Sequence, residues 1–254
     1  MDSRFKLDRV KSLDNSQPRH LRFGNLVTLV LAILSVSCVR AQQPDEASII
    51  RGVDAAVKAR LDGIASYTVT EHYSVYRNND ETHPAAEMTV KTTYEKETGK
   101  NYAVLSENGS ELLRKFVLQS ILDNEKRINQ PGVREGSWIT SANYGMKLKS
   151  GGIERINGRD CYVLSINPKQ KAPNLIVGSI WVDAKDQSLV QLQGTASKSI
   201  SVFTGPTQVM RQYENLDGFA EATHARAESE STLFGKTVVT IEYQGYEIKI
   251  RATP

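Results

Sequence analysis

The sequence predicts an α+β protein that is mainly antiparallel β, a strongly curved sheet carrying two helices on one face. Three observations predict it. Apolar residues recur at helical spacing in two stretches, and almost everything else alternates at the two-residue spacing of strands. The connections are of hairpin length, without the repeating helix–strand alternation that parallel crossovers need. No Pro/Ser/Gly-rich linker divides the chain, so one domain is expected over 42–254.

The first 41 residues are predicted to be a cleaved signal peptide. Their apolar run, Leu26–Val36, is 11 residues long and follows Arg19 and Arg22. That length suits an export signal and falls short of the roughly 20 residues of a membrane span. Val39-Arg40-Ala41 places small residues for cleavage after Ala41, ahead of the polar Gln42-Gln43-Pro44. A rival route is a lipoprotein anchored at Cys38, with Ser37 as the small residue before it, and membrane contact would then arise from lipidation or from a retained leader. The leader holds seven Lys and Arg against three Asp, a net of +4 within a chain of net +3, so the rest of the chain carries −1. A near-neutral exported domain lacks the basic field that nucleic-acid binding requires.

Helix comes next. From Asp45 to Ile64, residues Ile49, Ile50, Val53, Val57, Leu61 and Ile64 form one stripe, with Pro44 and Asp45 at the start and Gly63 near the end. A second helix is expected from Ser110 to about Arg127. Ser110 caps it after Asn108-Gly109, Leu112, Leu113, Phe116, Val117 and Ile121 form the stripe, and Lys126 and Arg127 suit the negative end of the dipole.

Strand patterns fill the rest. Tyr67, Val69, Glu71, Tyr73 and Val75 alternate with Thr68, Thr70, His72, Ser74 and Tyr76. Runs at Met88–Tyr94 and Tyr102–Leu105 come after them, with a turn at Thr98-Gly99-Lys100 between the two. Asn157-Gly158 separates Ile153–Ile156 from Cys161–Ile166, the strongest short hairpin signal, because both central residues of a type I′ turn need positive φ. Ile180–Asp183, the polar loop Ala184–Ser188 and Leu189–Gln193 come next, then Lys236–Tyr243 and Tyr246–Ile250. About nine strands and two helices result.

A search for chemistry singles out no catalytic, cofactor-binding or metal-binding residue and leaves the ligand-binding residues unknown. His72, His83 and His224 are scattered, and none stands at ligand spacing from another His or a Cys. His72 cannot share a sheet face with Glu71 or Tyr73. Nucleophile-elbow, S-x-x-K, phosphate-loop and dinucleotide patterns are absent. Glu95-Lys96-Glu97 and Glu228-Ser229-Glu230 are read as solvated strand edges, and Asn108-Gly109-Ser110 as a turn into a helix cap rather than a glycosylation site. Cys161, the single cysteine after the predicted leader, has no partner for a disulfide and sits in a strand pattern, so a buried, inert thiol is expected. Tyr67, Tyr73, Tyr94, Tyr102, Tyr162, Tyr243 and Tyr246 fall in strands, where packing outranks lining a cleft.

Two hairpin segments, Gly158-Arg159-Asp160-Cys161-Tyr162-Val163-Leu164 and Ile180-Trp181-Val182-Asp183, with Leu189-Val190 after the turn, resemble the outer-membrane lipoprotein-sorting (Lol carrier-like) superfamily. The order of elements is similar over roughly 45–250, while Tyr67–Leu105 and Lys198–Ala227 depart from the carriers. The resemblance implies an unclosed β-barrel with helices covering its concave side around a hydrophobic cavity. It also implies a periplasmic carrier or sensor of lipids or lipid-modified proteins, with no cofactor. The expected function is thus non-catalytic binding of a lipid or lipoprotein acyl chain in the cell envelope. The alternatives are an envelope interaction module whose core is filled by its own side chains, and a hydrolase using Glu residues. Oligomeric state is not readable from the sequence.

Overall fold

A computed structural model describes residues 45–198, 205–232 and 235–251. The predicted leader, its cleavage after Ala41 and Cys38 lie outside the described residues. Helix α1, Glu46–Gly63, starts where Asp45 accepts a hydrogen bond from the Ser48 N–H at 2.6 Å. It leads directly into β1 (Ile64–Arg77), β2 (Ala86–Glu95) and β3 (Gly99–Gly109). Helix α2 comes next as Glu111–Leu113, a π-helical turn at Arg114–Leu118, and Gln119–Ile128. A short 3-10 turn at Arg134–Ser137 precedes the strands β4 (Tyr144–Ile156), β5 (Arg159–Pro168), β6 (Ile176–Asp183), β7 (Leu189–Ala196), β8 (Gln208–Leu216), β9 (Phe219–Ser231) and β10 (Gly235–Ile250).

All ten strands form one antiparallel sheet in the order β3-β2-β1-β10-β9-β8-β7-β6-β5-β4. Two meanders, β1–β3 and β4–β10, are joined where β10 pairs with β1, and β3 and β4 stand at opposite edges, so the barrel is not closed. Register places both helices on one face. Met88, Tyr73, Ile241, Ala225, Arg211, Leu192, Ile180, Leu164 and Leu148 are successive cross-strand partners from β2 to β4. Along that row Tyr73 packs with Leu113, Leu118 and Leu122 of α2, whereas Leu164, Ile180 and Leu192 pack with Ile49 and Val53 of α1. A third cluster, Ile64, Tyr67, Val69 and Tyr94 with Phe219, Tyr243, Tyr246 and Ile248, adds a largely aromatic part to the core.

The structure departs from expectation at three places. Ten strands are present instead of about nine: Lys236–Ile250 is one continuous strand, and β8 and β9 occupy the segment 208–231 that carried no strand prediction. The polar faces of β8 and β9 hide their alternation, and pairing with β7 and β10 supplies the order that their own pattern lacks. Second, Asn108 and Gly109 end β3, paired with Glu87 and Ala86, although Ser110 does cap the helix as expected. Third, the α2 stripe is shifted. Leu113, Leu118 and Leu122 are buried, while the expected Leu112 and Phe116 are 61% and 54% exposed. The π turn adds a residue to one helical turn, so the inward positions step by five from 113 to 118 and only then by four.

The Asn157-Gly158 hairpin forms as predicted, with φ of 49° and 78°. The two motif segments, Gly158–Leu164 and Ile180–Asp183, pair with each other through β5 and β6. Arg159 Nε donates to Asp183 Oδ2 at 2.7 Å, Arg159 Nη2 donates to Ser188 Oγ at 2.9 Å, and Trp181 Nε1 donates to Glu154 at 2.7 Å. These residues brace the β4–β7 corner. Cys161 is fully buried there, its thiol pushed up by burial and bonded to the Arg159 carbonyl.

Candidate functional site: a crevice beneath helix α1 and a charged core

Helix α1 crosses the ends of two turns, and glycine lets it approach each closely. A Cβ on Gly52 would lie 2.7 Å from the Gln187 side chain in the β6–β7 turn. One on Gly63 would lie 2.6 Å from the ring of Phe219, which opens β9. Eleven residues of helix span roughly 16 Å between these contacts, and Ala56 and Ala59 stand between them, too small to fill the space. A crevice of about 230 Å³ results, lined by Ala56, Val57, Arg60, Leu189, Phe219 and Ala220 among others, with Asp186 and Ser188 also on its wall. The volume lies below the roughly 300–1,000 Å³ of sites that enclose a whole small molecule. It suits a segment of a ligand. A more open depression of about 560 Å³ crosses β4–β6 at Gly145, Lys147, Asn167 and Val177.

Arg60 is the cationic residue of the crevice wall. Its Nε and Nη2 donate to the two carboxylate oxygens of Glu221, both at 2.8 Å. The Glu221 side chain is 3% exposed. Burial works against the guanidinium's charge, yet Glu221 outweighs it and the pKa of Arg60 is raised. Behind this pair stand Tyr67, stacked on Tyr94 at 5.0 Å, and Tyr246, whose ring lies 5.7 Å from Tyr67. Arg134 donates to the Tyr94 hydroxyl at 3.0 Å.

Ionic contacts continue beneath α2. Lys100 Nζ is 3.3 Å from Glu125 Oε2, and Arg211 Nη2 is 4.0 Å from Glu125 Oε1. Glu71, 1% exposed, accepts from the Tyr73 hydroxyl at 2.5 Å through Oε2, while its Oε1 has no partner. Thr92 Oγ1, Tyr102 OH and Arg211 Nε are buried without partners as well. Burial would raise the Glu125 carboxyl, but Lys100 and Arg211 hold it below the ordinary range. The same surroundings push the Tyr73, Tyr102 and Tyr243 hydroxyls up, chiefly through burial.

The seven strand tyrosines all join the packed clusters on the helix-covered face, as the packing expectation required. His72 faces the opposite side, bonded to Thr89 at 3.0 Å and 3.4 Å from Glu87. It is a cross-strand neighbour of Glu242, which His224 reaches at 2.6 Å, while His83 sits in the Asp80 turn. Among the described residues no group of three or more His, Cys, Asp and Glu is placed to hold a metal. Glu95 and Glu230 are exposed, and Glu228 is paired with Arg226 and Lys236. Sequence reasoning did not find Arg60, Glu221, Lys100, Glu125 or Arg211. For Glu71 a signal existed, since it shares the strand register of Tyr67, Val69, Tyr73 and Val75.

The chain matches no protein-family model and no curated protein. Solved structures similar to it include a DUF1329 family protein from Desulfovibrio piger (16% identity, 81% of this chain and 95% of that chain, TM-score 0.41). A LolA superfamily protein from Nitrosomonas europaea is similar over 82% of this chain and 94% of its own, at 13% identity and a TM-score of 0.40. A Vibrio parahaemolyticus domain described as an outer membrane lipoprotein-sorting protein is similar at 15% identity, 78% and 91% coverage, and a TM-score of 0.42. At these identities and scores the likeness carries no information on ligand or activity.

Proposed function

We propose that this is an exported, non-catalytic envelope protein that holds one acyl chain of a lipid or lipid-modified protein in the crevice beneath α1. Residues 1–41 direct export and are removed after Ala41, and 42–254 is the binding domain. The observation that carries the reading is the crevice itself. Its walls are mostly apolar, it lies between α1 and the residues that open β7 and β9, and close glycine contacts on either side frame it. Apolar burial in such a slot favours a hydrocarbon segment at about 25 cal/mol per Å² of surface removed from water.

Titration of the delipidated protein with a fluorescent acyl probe tests it. Saturable binding is expected, and Ala56→Phe, which fills the crevice, is expected to weaken it at least about tenfold with the far-UV spectrum unchanged. Wild-type protein that binds no acyl probe would end this reading. A second reading, an interaction module with no ligand, is favoured by the Lys100–Glu125–Arg211 contacts and the tyrosines that fill the middle of the concave face. Absence of acyl binding together with a stoichiometric complex with an envelope protein is its expected outcome.

A further inference from the structure

Arg60 is the guanidinium on the crevice wall, and its charge is already matched. Both carboxylate oxygens of Glu221 are engaged at 2.8 Å, from a side chain that is 3% exposed. Nη1 is the guanidinium nitrogen that Glu221 leaves unengaged, and Arg60 lines the crevice. An anion brought here would be desolvated beside a cation that has little net field to offer, and Asp186 on the wall would repel it. A carbonyl oxygen of an ester or amide loses far less on leaving water and still gains the Nη1 hydrogen bond. The ion pair thus presents a donor without a net charge, in a slot whose other walls are mostly alanine, valine, leucine and phenylalanine, with Asp186 and Ser188 among them.

Resting on the acyl-chain reading above, we infer that Arg60 and Glu221 together select an ester- or amide-linked chain over a free fatty acid or another anion. The selectivity lies in the pair, because Glu221 cancels what Arg60 alone would attract.

The test is competition against the fluorescent acyl probe by 1-monolauroylglycerol and by laurate, each below its critical micelle concentration at neutral pH. Wild-type protein is expected to release the probe to the ester at about tenfold lower concentration than to laurate. Glu221→Gln, which keeps the shape and uncovers the Arg60 charge, is expected to reverse that order. Arg60→Met combined with Glu221→Gln removes the donor and both charges of the pair and is expected to shrink the preference for the ester. Laurate competing as well as or better than the ester on wild-type protein overturns the inference and leaves acyl binding standing. Competition by neither overturns both. Circular dichroism checks each variant's fold, and the wild-type comparison decides the matter even where a variant fails to fold.

Discussion

Glu71 shows how one side chain carries information that its neighbours do not. It occupies a core-facing register in β1 between Val69 and Tyr73, is almost wholly buried, and has one oxygen bonded and one unpaired. Tyr73→Phe removes its hydrogen-bond donor and is expected to destabilise the protein by about 1–3 kcal/mol in urea unfolding, since both oxygens would then be buried and unpaired. Glu125 governs a pH response. Its folded pKa is held down by Lys100 and Arg211 against the effect of burial. A depressed carboxyl pKa stabilises the folded state above the unfolded value, and that contribution is lost as pH falls through the folded value. The urea midpoint is therefore expected to drop as pH falls below the ordinary glutamate value of about 4.3, and less steeply in Glu125→Gln. Glu71 was legible because a carboxylate stood among Tyr67, Val69 and Val75 at period two. Arg211 and Glu221 were not, because β8 and β9 show no apolar alternation and their inward side includes arginine, glutamate and alanine.

At the scale of elements, α2 depends on its π turn. The five-residue step from Leu113 to Leu118 keeps Leu118 and Leu122 on the sheet and brings Glu125 to Lys100. Deleting Lys115 removes the extra residue, which leaves Leu113 and Leu118 four apart and both on the sheet in an ordinary helical turn. A change within about 1 kcal/mol is therefore expected in thermal or urea unfolding, whereas Leu118→Ala, which withdraws a large buried side chain, is expected to cost about 2–5 kcal/mol. The Asn157-Gly158 hairpin is governed by backbone alone. Gly158 has φ of 78° and open space around its missing Cβ. Gly158→Val is therefore expected to cost roughly 1–2 kcal/mol of conformational strain, readable as a lower urea midpoint. Both helices and this hairpin were legible because caps, stripes and turn residues lie within four positions of each other. The π turn was not, since it changes the phase of a stripe without changing its composition.

For the molecule as a whole, β10 is the joint. It pairs with β1 on one side and β9 on the other, and Tyr73↔Ile241 and Val75↔Val239 link the α2 cluster to the second meander. A proline in this central strand removes a ladder donor from the seam between the two meanders. Thr240→Pro is expected to cost about 3 kcal/mol or more and to abolish cooperative unfolding. Ala103→Pro in the edge strand β3 is expected to be far milder. The comparison is made by chemical denaturation followed by tryptophan fluorescence and far-UV circular dichroism together. Divergence of the two probes is the expected sign that the meanders have separated.

Local periodicity by itself determined the two helices, most of the strands, the type I′ hairpin, the antiparallel class and the helix-covered face, because each depends on residues a few positions apart. It also placed Cys161 in a buried strand and His72 on the face opposite Tyr73. Only the tertiary structure decided that Arg60 meets Glu221, that Lys100 and Arg211 flank Glu125, and that α1 leaves a crevice between Gly52 and Gly63. Those meetings span up to 161 residues of sequence and arise from cross-strand register and helix docking. Register is a property of paired strands, and no single segment contains it.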